Sequence, residues 1–168
     1  MAGTNSFDVT TGVDYMEMNN AVDQATKEIT QRYDFKGLKI GIELNEKDKK
    51  IILTGPDEYK LTAVWEVLQS KMVRRQVSLK NLKPGKVDMA LGATARQEIE
   101  ITDGLNAEMA RDIVRYLKDQ KLKKVQSSIQ GDTVRISSGS RDDLQEVIAM
   151  LKGQDFGVEL QFDNFRSN

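Results

Sequence analysis

The chain has 168 residues, of which 39% are hydrophobic and 30% charged, and its formal net charge is −1. That length suits one ordinary domain or two small ones, and the near-neutral charge argues against a polycation that coats nucleic acid. The sequence contains neither histidine nor cysteine. Disulfides, cysteine-ligated zinc and catalysis by Ser-His-Asp or Cys-His groups are therefore excluded, whereas a carboxylate site for a hard cation such as magnesium stays open.

The N-terminal residues 1–6 are polar and uncharged in their side chains. They lack the basic start and the apolar run of a signal peptide. Further along the chain, no apolar stretch approaches the roughly 20 residues needed to span a bilayer. We therefore expect a cytoplasmic protein without a membrane partner.

The first half of the chain predicts six elements in the order strand, helix, strand, strand, helix, strand. Residues 7–13 alternate apolar and polar side chains and then reach a glycine, and residues 18–29 carry an apolar stripe at helical spacing. Two strands are predicted over residues 38–53. A second helix follows with its apolar residues at i, i+3 and i+7 over 61–68, and the last strand includes 77–79.

The second half repeats this pattern. Residues 51–82 align without a gap to 134–165, and the likeness extends upstream to residue 99. The fold class is therefore α+β, with two tandem ferredoxin-like (RNP-like) βαββαβ units, each an antiparallel four-stranded sheet with two helices on one face. We predict a first unit at 1–83, a linker at 84–94 and a second unit at 95–168. The sequence leaves open whether the two units exchange a strand.

The free face of a ferredoxin-like sheet binds RNA in the RNA-recognition motif, where aromatic side chains on the central strands stack on bases. If Phe7 and Val9 point inward, Asp8 points outward, and Glu100 is the matching acid of the second copy. No outward aromatic residue falls on either central strand. The pattern therefore predicts the fold of an RNA-binding motif without its stacking platform.

Basic residues cluster in two other segments. The first group lies in a stretch without acids and contains Lys71, Arg74, Arg75, Lys80, Lys83 and Lys86. The second group has two interspersed aspartates and contains Arg111, Arg115, Lys118, Lys121, Lys123 and Lys124. Either group could contact phosphates, and the first is the better candidate because no acid compensates it. The alternative is that both simply keep the surface solvated.

Several ordered blocks of the sequence are distinctive. They include Ser6-Phe7-Asp8-Val9, Tyr33-Asp34-Phe35-Lys36-Gly37, Lys123-Lys124-Val125-Gln126, Ser140-Arg141-Asp142-Asp143-Leu144-Gln145 and Gln161-Phe162-Asp163-Asn164-Phe165-Arg166. Together these blocks resemble the YajQ family of bacterial proteins. The resemblance runs from Ser6 to Arg166. It implies a tandem ferredoxin-like fold and nucleotide binding. It further implies that the ligand is cyclic di-GMP, as in members that then act on a transcription regulator, or RNA, as in other members. It implies neither catalysis nor a cofactor.

The resemblance also directs attention to the polar residues of these blocks as ligand-binding candidates. They are Arg32, Asp34, Lys36, Lys123, Lys124, Gln126, Arg141, Asp142 and Arg166. Arg141 and Asp142 begin the last predicted helix, whose free N–H groups can receive a phosphate. For each residue a structural role is the alternative, since Asp34 can hold a turn and Asp142 can cap a helix.

Three functions follow as hypotheses. The first is a nucleotide-binding effector without catalysis, for cyclic di-GMP or another nucleotide. The second is binding of RNA or tRNA, and the third is a protein-interaction adaptor for a transcription regulator. An enzyme that acts through carboxylates and a metal is the weakest reading, because no acidic pair has persuasive spacing.

Overall fold

The computed structural model describes residues 4–90 and 92–167. Within these residues the chain forms eight strands and four α-helices. The strands are β1 (Asn5–Thr10), β2 (Gly41–Asn45), β3 (Lys50–Gly55), β4 (Leu82–Ala90), β5 (Thr94–Ile101), β6 (Val125–Gln130), β7 (Thr133–Ser138) and β8 (Gln161–Arg166). The helices are α1 (Tyr15–Gln31), α2 (Glu58–Arg74), α3 (Ala107–Asp119) and α4 (Arg141–Lys152), and short 3₁₀ helices occupy Tyr33–Phe35 and Leu79–Asn81.

Each α-helix begins behind a side chain that accepts a hydrogen bond from a backbone N–H of its first turn. The capping residues are Asp14, Asp57, Asn106 and Ser140. These acceptors satisfy N–H groups that have no partner inside the helix. No helix in the described part of the chain is long and apolar enough to cross a membrane.

The described strands form two four-stranded sheets in which every pairing is antiparallel. The strand order is β6-β7-β1-β8 in one sheet and β2-β3-β5-β4 in the other. Both orders are those of a ferredoxin-like unit, which confirms the predicted fold class. The central strands β1 and β5 have changed places, because β1 lies with the strands of the second repeat and β5 with those of the first.

The chain therefore divides into two compact units that differ from the sequential units 1–83 and 95–168. One unit contains Met1–Gly12 with Asp103–Asn168, and the other contains Val13–Thr102. We call them the composite unit and the continuous unit. The chain passes from one to the other after Gly12 and again after Thr102, so the repeat boundaries and the structural boundaries do not coincide.

The interpretation of residues 84–94 as a linker is wrong. Most of this segment belongs to β4, which pairs with β5 and has Ala90 opposite Thr94. Its Pro84 lies on an edge strand, at a shift of register between Pro84 and Val87. Proline is tolerated at such irregular edge positions because it lacks the N–H that a central strand must donate. Pro84 and Gly85 thus mark an irregularity inside a strand.

Each unit has its own hydrophobic core. In the composite unit, β1 contributes Phe7 and Val9, both fully buried, to a core completed by α3, β7 and α4. In the continuous unit, β5 contributes Ala95, Ile99 and Ile101 to a core completed by α1, α2 and β3. The exchanged strands therefore supply core side chains as well as backbone hydrogen bonds.

We expect a fragment of residues 13–102 to fold cooperatively, because it contains all six elements and the whole core of the continuous unit. A fragment of residues 1–83 should not fold, because it lacks the central strand between β3 and β4. Far-ultraviolet circular dichroism and thermal unfolding of both fragments check this. A cooperative transition of the 1–83 fragment would contradict the strand exchange.

Candidate functional site

The open face of the composite unit has an ion pair at its centre. Asp8 on β1 is buried and accepts hydrogen bonds from Arg135 Nε at 3.0 Å and Asn164 Nδ2 at 2.7 Å. Burial of the carboxyl acts to raise the pKa of Asp8, but the hydrogen bonds from Arg135 and Asn164 and the positive charges of Arg135 and Arg166 together outweigh it, so the pKa lies below its ordinary value. This network ties the central strand to both of its neighbours.

The open face of the continuous unit also carries charges. Glu98 on β5 lies 3.0 Å from Lys50 Nζ and 3.0 Å from Arg96 Nη1. The hydrogen bond from Lys50 lowers the pKa of the Glu98 carboxyl. The four central strands contain one aromatic residue, Phe7, and its ring is buried in the core. The described open faces thus present ion pairs where an RNA-recognition motif presents aromatic rings.

A cleft in the composite unit brings two of the candidate residues together. Arg141, at the start of α4, and Arg166, at the end of β8, both line a cavity of about 250 Å³, which we call the α4/β8 cleft. Its other lining residues are Asn5, Ser6, Leu144, Gln145, Phe165 and Ser167. The cleft therefore combines two guanidinium groups with amides, hydroxyls and one aromatic ring.

The aromatic ring of the cleft is Phe165, which is 59% exposed. It stacks on the buried Phe7 with ring centroids 5.6 Å apart, and Phe162 meets the same ring edge-on at 6.0 Å. Residues three apart in a regular strand point to opposite faces, so both rings can reach Phe7 only because β8 is irregular. Asn164 supplies the irregularity with a φ of 57°, at a shift in the β1–β8 register.

Sequence reasoning missed Phe165 as a site residue, along with Asn5, Ser6 and Gln145. The spacing of Phe162 and Phe165 was the available signal, since it breaks the two-residue period of a strand and predicts a bulge. The importance of Asn5 and Ser6 had no signal of that kind. Their place in the cleft follows from the strand exchange.

The first three candidates lie in the continuous unit and interact with one another. Arg32 donates from Nε and Nη2 to the two carboxylate oxygens of Asp34, at 3.0 and 2.8 Å. This pairing raises the pKa of Arg32 and lowers the pKa of Asp34. Arg32 also lies over the ring of Phe35, whereas Lys36 is exposed. These contacts favour the structural alternative for Arg32 and Asp34.

The remaining candidates lie in the composite unit but apart from the α4/β8 cleft. Lys124, Gln126 and Asp142 are exposed, and Asp142 stands with Asp143 in the first turn of α4, where carboxylates offset the positive end of the helix dipole. Lys123 lines a different cavity, of about 400 Å³, between α3 and β6. Anion attraction in the cleft therefore depends on its arginines.

The cavity at Lys123 shares Lys118 with a second one of about 250 Å³ between the same two elements. We call the pair the α3/β6 groove. Its basic lining residues are Arg111, Arg115, Lys118, Lys121 and Lys123. Five of the six residues of the second basic group in the sequence, all except Lys124, thus line one groove.

The first basic group, favoured because it has no acids nearby in sequence, is partly compensated in space. Lys71 lies 3.0 Å from Glu28 and Arg75 lies 3.6 Å from Glu17, and both acids are on α1. A helix packed alongside thus supplies negative charge that the local sequence does not contain. The absence of acids in the local sequence therefore does not mean that the first group is uncompensated in the fold.

Comparison with known proteins covers nearly the whole chain. Residues 5–166 match the family model described as "Nucleotide-binding protein YajQ-like". A relative from Koribacter versatilis is 54% identical and one from Solibacter usitatus 52% identical, each over 98% of both chains. A relative from Desulfitobacterium hafniense is 51% identical over 99% of this chain and 100% of its own. All three are named as nucleotide-binding proteins.

Replacing Arg135 with methionine should destabilise the composite unit by about 1.5 to 3 kcal/mol near neutral pH, the usual contribution of a hydrogen bond to a charged group. Methionine keeps the apolar stem but leaves the Asp8 carboxylate without its guanidinium donor. Urea unfolding of both proteins measures the difference. Arg111→Met, at an exposed position of the same unit, is the control and should change little.

The same pair predicts a pH dependence. The pKa of Asp8 in the folded protein is below its ordinary value of 3.8. The ionised carboxylate therefore makes its full contribution to the free energy of unfolding above about pH 3.8, and this contribution is lost as the pH falls through the folded pKa. The difference between wild type and Arg135→Met should therefore shrink on acidification. A difference that stayed constant down to about pH 2 would show that Arg135 acts by packing rather than by charge.

Proposed function

Because the chain belongs to the YajQ family, we propose that it is a nucleotide-binding protein without catalytic activity whose α4/β8 cleft receives a guanine nucleotide, with cyclic di-GMP as the first ligand to test. The observation that carries this proposal is the convergence of Arg141, Arg166 and the exposed ring of Phe165 on one cleft.

The lining groups match the parts of such a ligand. An exposed aromatic ring offers a base a stacking surface worth about 1 to 3 kcal/mol. Guanidinium groups make paired hydrogen bonds to phosphate oxygens, and also to O6 and N7 of guanine. Cyclic di-GMP carries two singly charged phosphodiesters and two guanines, so two arginines suit it. The amides of Asn5 and Gln145 add donors and acceptors for a base edge.

The size of the cleft favours partial enclosure of the ligand. Its volume of about 250 Å³ lies just below the range of roughly 300 to 1,000 Å³ that is common for small-molecule sites. One base with its adjoining phosphate would therefore enter, and the second half of a dinucleotide would remain at the rim. Binding of that kind depends on charge and should weaken with salt.

The chemistry of the lining supports binding without turnover. Guanidinium, amide and hydroxyl groups hold and orient a nucleotide, but none of them takes up a proton readily at neutral pH. The sequence has no histidine or cysteine that could do so instead. The protein would then act through the change that the ligand makes to its surface.

Calorimetric titration with cyclic di-GMP tests the proposal. We expect saturable binding that is weakened about tenfold by Arg141→Ala and by Arg166→Ala, since each removes a charged donor. Phe165→Leu should weaken it by a similar factor, because leucine keeps the apolar contact with Phe7 but not the stacking surface. Arg74→Ala, at an exposed arginine of the continuous unit, is the matched control and should bind as wild type does.

Competition with GTP and with bulk tRNA distinguishes the alternatives. Binding of cyclic di-GMP that survives excess tRNA supports the proposed function. Absence of binding by either guanine nucleotide, together with salt-dependent binding of tRNA, would overturn it in favour of RNA. Equal affinity of wild type and both arginine variants would remove the cleft as the site.

A further inference from the structure

The α3/β6 groove runs beside an edge of a sheet. Within the described part of the chain β6 pairs with β7 alone, so its other side faces away from the sheet. Alternate N–H and C=O groups of an edge strand point outward and can pair with another extended chain. The six residues of β6 present such an edge over roughly 20 Å.

Two side chains of β6 lie next to that edge, on the face of the sheet toward the groove. Ser127 and Ile129 lie opposite the buried residues Ile136 and Val134 of β7, so they share the face that α3 covers. Ile129 nevertheless stays 46% exposed, because α3 does not close over it. The groove thus has an aliphatic wall next to backbone that can form hydrogen bonds.

The charge of the groove is of one sign. Among the described residues, the lining of the groove holds the five basic residues named above and no carboxylate. Arg115 also meets Asp112 at 3.4 Å, but both side chains are largely exposed, and such a pair contributes little. The groove therefore attracts an acidic ligand.

We propose that the α3/β6 groove docks an extended acidic segment of a partner protein, which adds a strand to the outer edge of β6. Backbone hydrogen bonds to β6 supply affinity, as in other cases of strand addition. Alternate side chains of the segment then face the groove, where aliphatic residues meet Ile129 and Leu122 and acidic residues meet the lysines.

Two other occupants fit the same observations less well. A single-stranded RNA gains much of its affinity from stacking on aromatic rings, and the lining of the groove is aliphatic and basic. A second copy of this chain, joined edge to edge through β6, would bring two sets of five cations together, and like charges in contact cost several kcal/mol. An acidic partner satisfies both the backbone edge and the charge.

A designed peptide tests the proposal with the intact protein. The probe is a fluorescein-labelled peptide of about nine residues, long enough to span β6, in which every second residue is in turn valine or glutamate and the residues between them are threonine, so that one face of the strand carries both apolar and acidic side chains. Fluorescence anisotropy should show saturable binding that Lys118→Glu weakens about tenfold. Lys27→Glu, an equal charge reversal at an exposed position of the continuous unit, should leave binding unchanged.

Changes to the peptide separate strand addition from simple charge attraction. Methylation of alternate peptide nitrogens removes the donors that pair with β6 without altering charge, and should weaken binding about tenfold. A peptide with lysine in place of glutamate should not bind. Equal affinity of the methylated and parent peptides would overturn strand addition.

The remaining outcomes are also decisive. No binding of the acidic peptide up to about 1 mM would mean that the lysines serve only to protect the edge from aggregation, and the proposal fails. Binding of a uridine oligonucleotide in its place, lost in Lys118→Glu, would assign the groove to RNA. Arg141→Ala should leave peptide binding intact, so failure of this proposal is distinguishable from failure of the nucleotide proposal.

Discussion

Hydrogen bonding on both sides of the two exchanged central strands, β1 and β5, holds the rest of the structure in place. The backbone N–H and C=O groups of a central strand are not hydrogen-bonded to solvent. Such a strand therefore needs a neighbouring strand on both of its sides. Because β5 follows β4 after three residues and pairs with it, β5 belongs to the sheet of the continuous unit. The corresponding place in the composite unit is then filled by β1, which comes from the far end of the sequence.

The α4/β8 cleft depends on that exchange. Asn5 and Ser6 belong to β1, whereas Arg141 and Arg166 come from the last third of the chain. The pairing of Ser6 with Arg166 aligns the two strands at the mouth of the cleft. The bulge at Asn164 lets Asn164 bond to Asp8 on the open face, while Phe165 reaches Phe7 on the other. In a regular strand with Phe162 on the core face, Asn164 would also face the core and Phe165 would face the open side.

Much of the fold could be predicted from periodicity. Helical stripes such as Leu61, Val64 and Leu68 are buried as expected, and their spacing repeats at Leu144, Val147 and Leu151. The exchange of β1 and β5 between the two sheets could not be predicted. Both sheets contain equivalent strands, and the apolar pattern of β1 is compatible with the central position of either sheet. The error at residues 84–94 has the same origin, since a proline on an edge strand and a proline in a linker look alike in sequence.

The candidate residues illustrate a second limit. Local sequence identifies charges but not what packs against them, so Arg32 looked available although Asp34 holds it in a bidentate pair. Arg141 and Arg166 were recognised as candidates only separately, from two blocks of sequence, and their convergence required the fold. Charge compensation is a property of neighbours in space, and a packed helix such as α1 brings in acids that the local sequence of the basic group does not contain.

The strand order also bears on how two ligands would share the composite unit. Its sheet runs β6-β7-β1-β8, so the α3/β6 groove lies at one edge and the α4/β8 cleft at the other. The two central strands between them are joined by the Asp8–Arg135 pair and bury Phe7, Val134 and Ile136. A peptide added to β6 therefore does not occlude the cleft. Coupling between the two ligands would require a rearrangement of the strands β7 and β1 that lie between them, because close-packed protein interiors do not deform gradually.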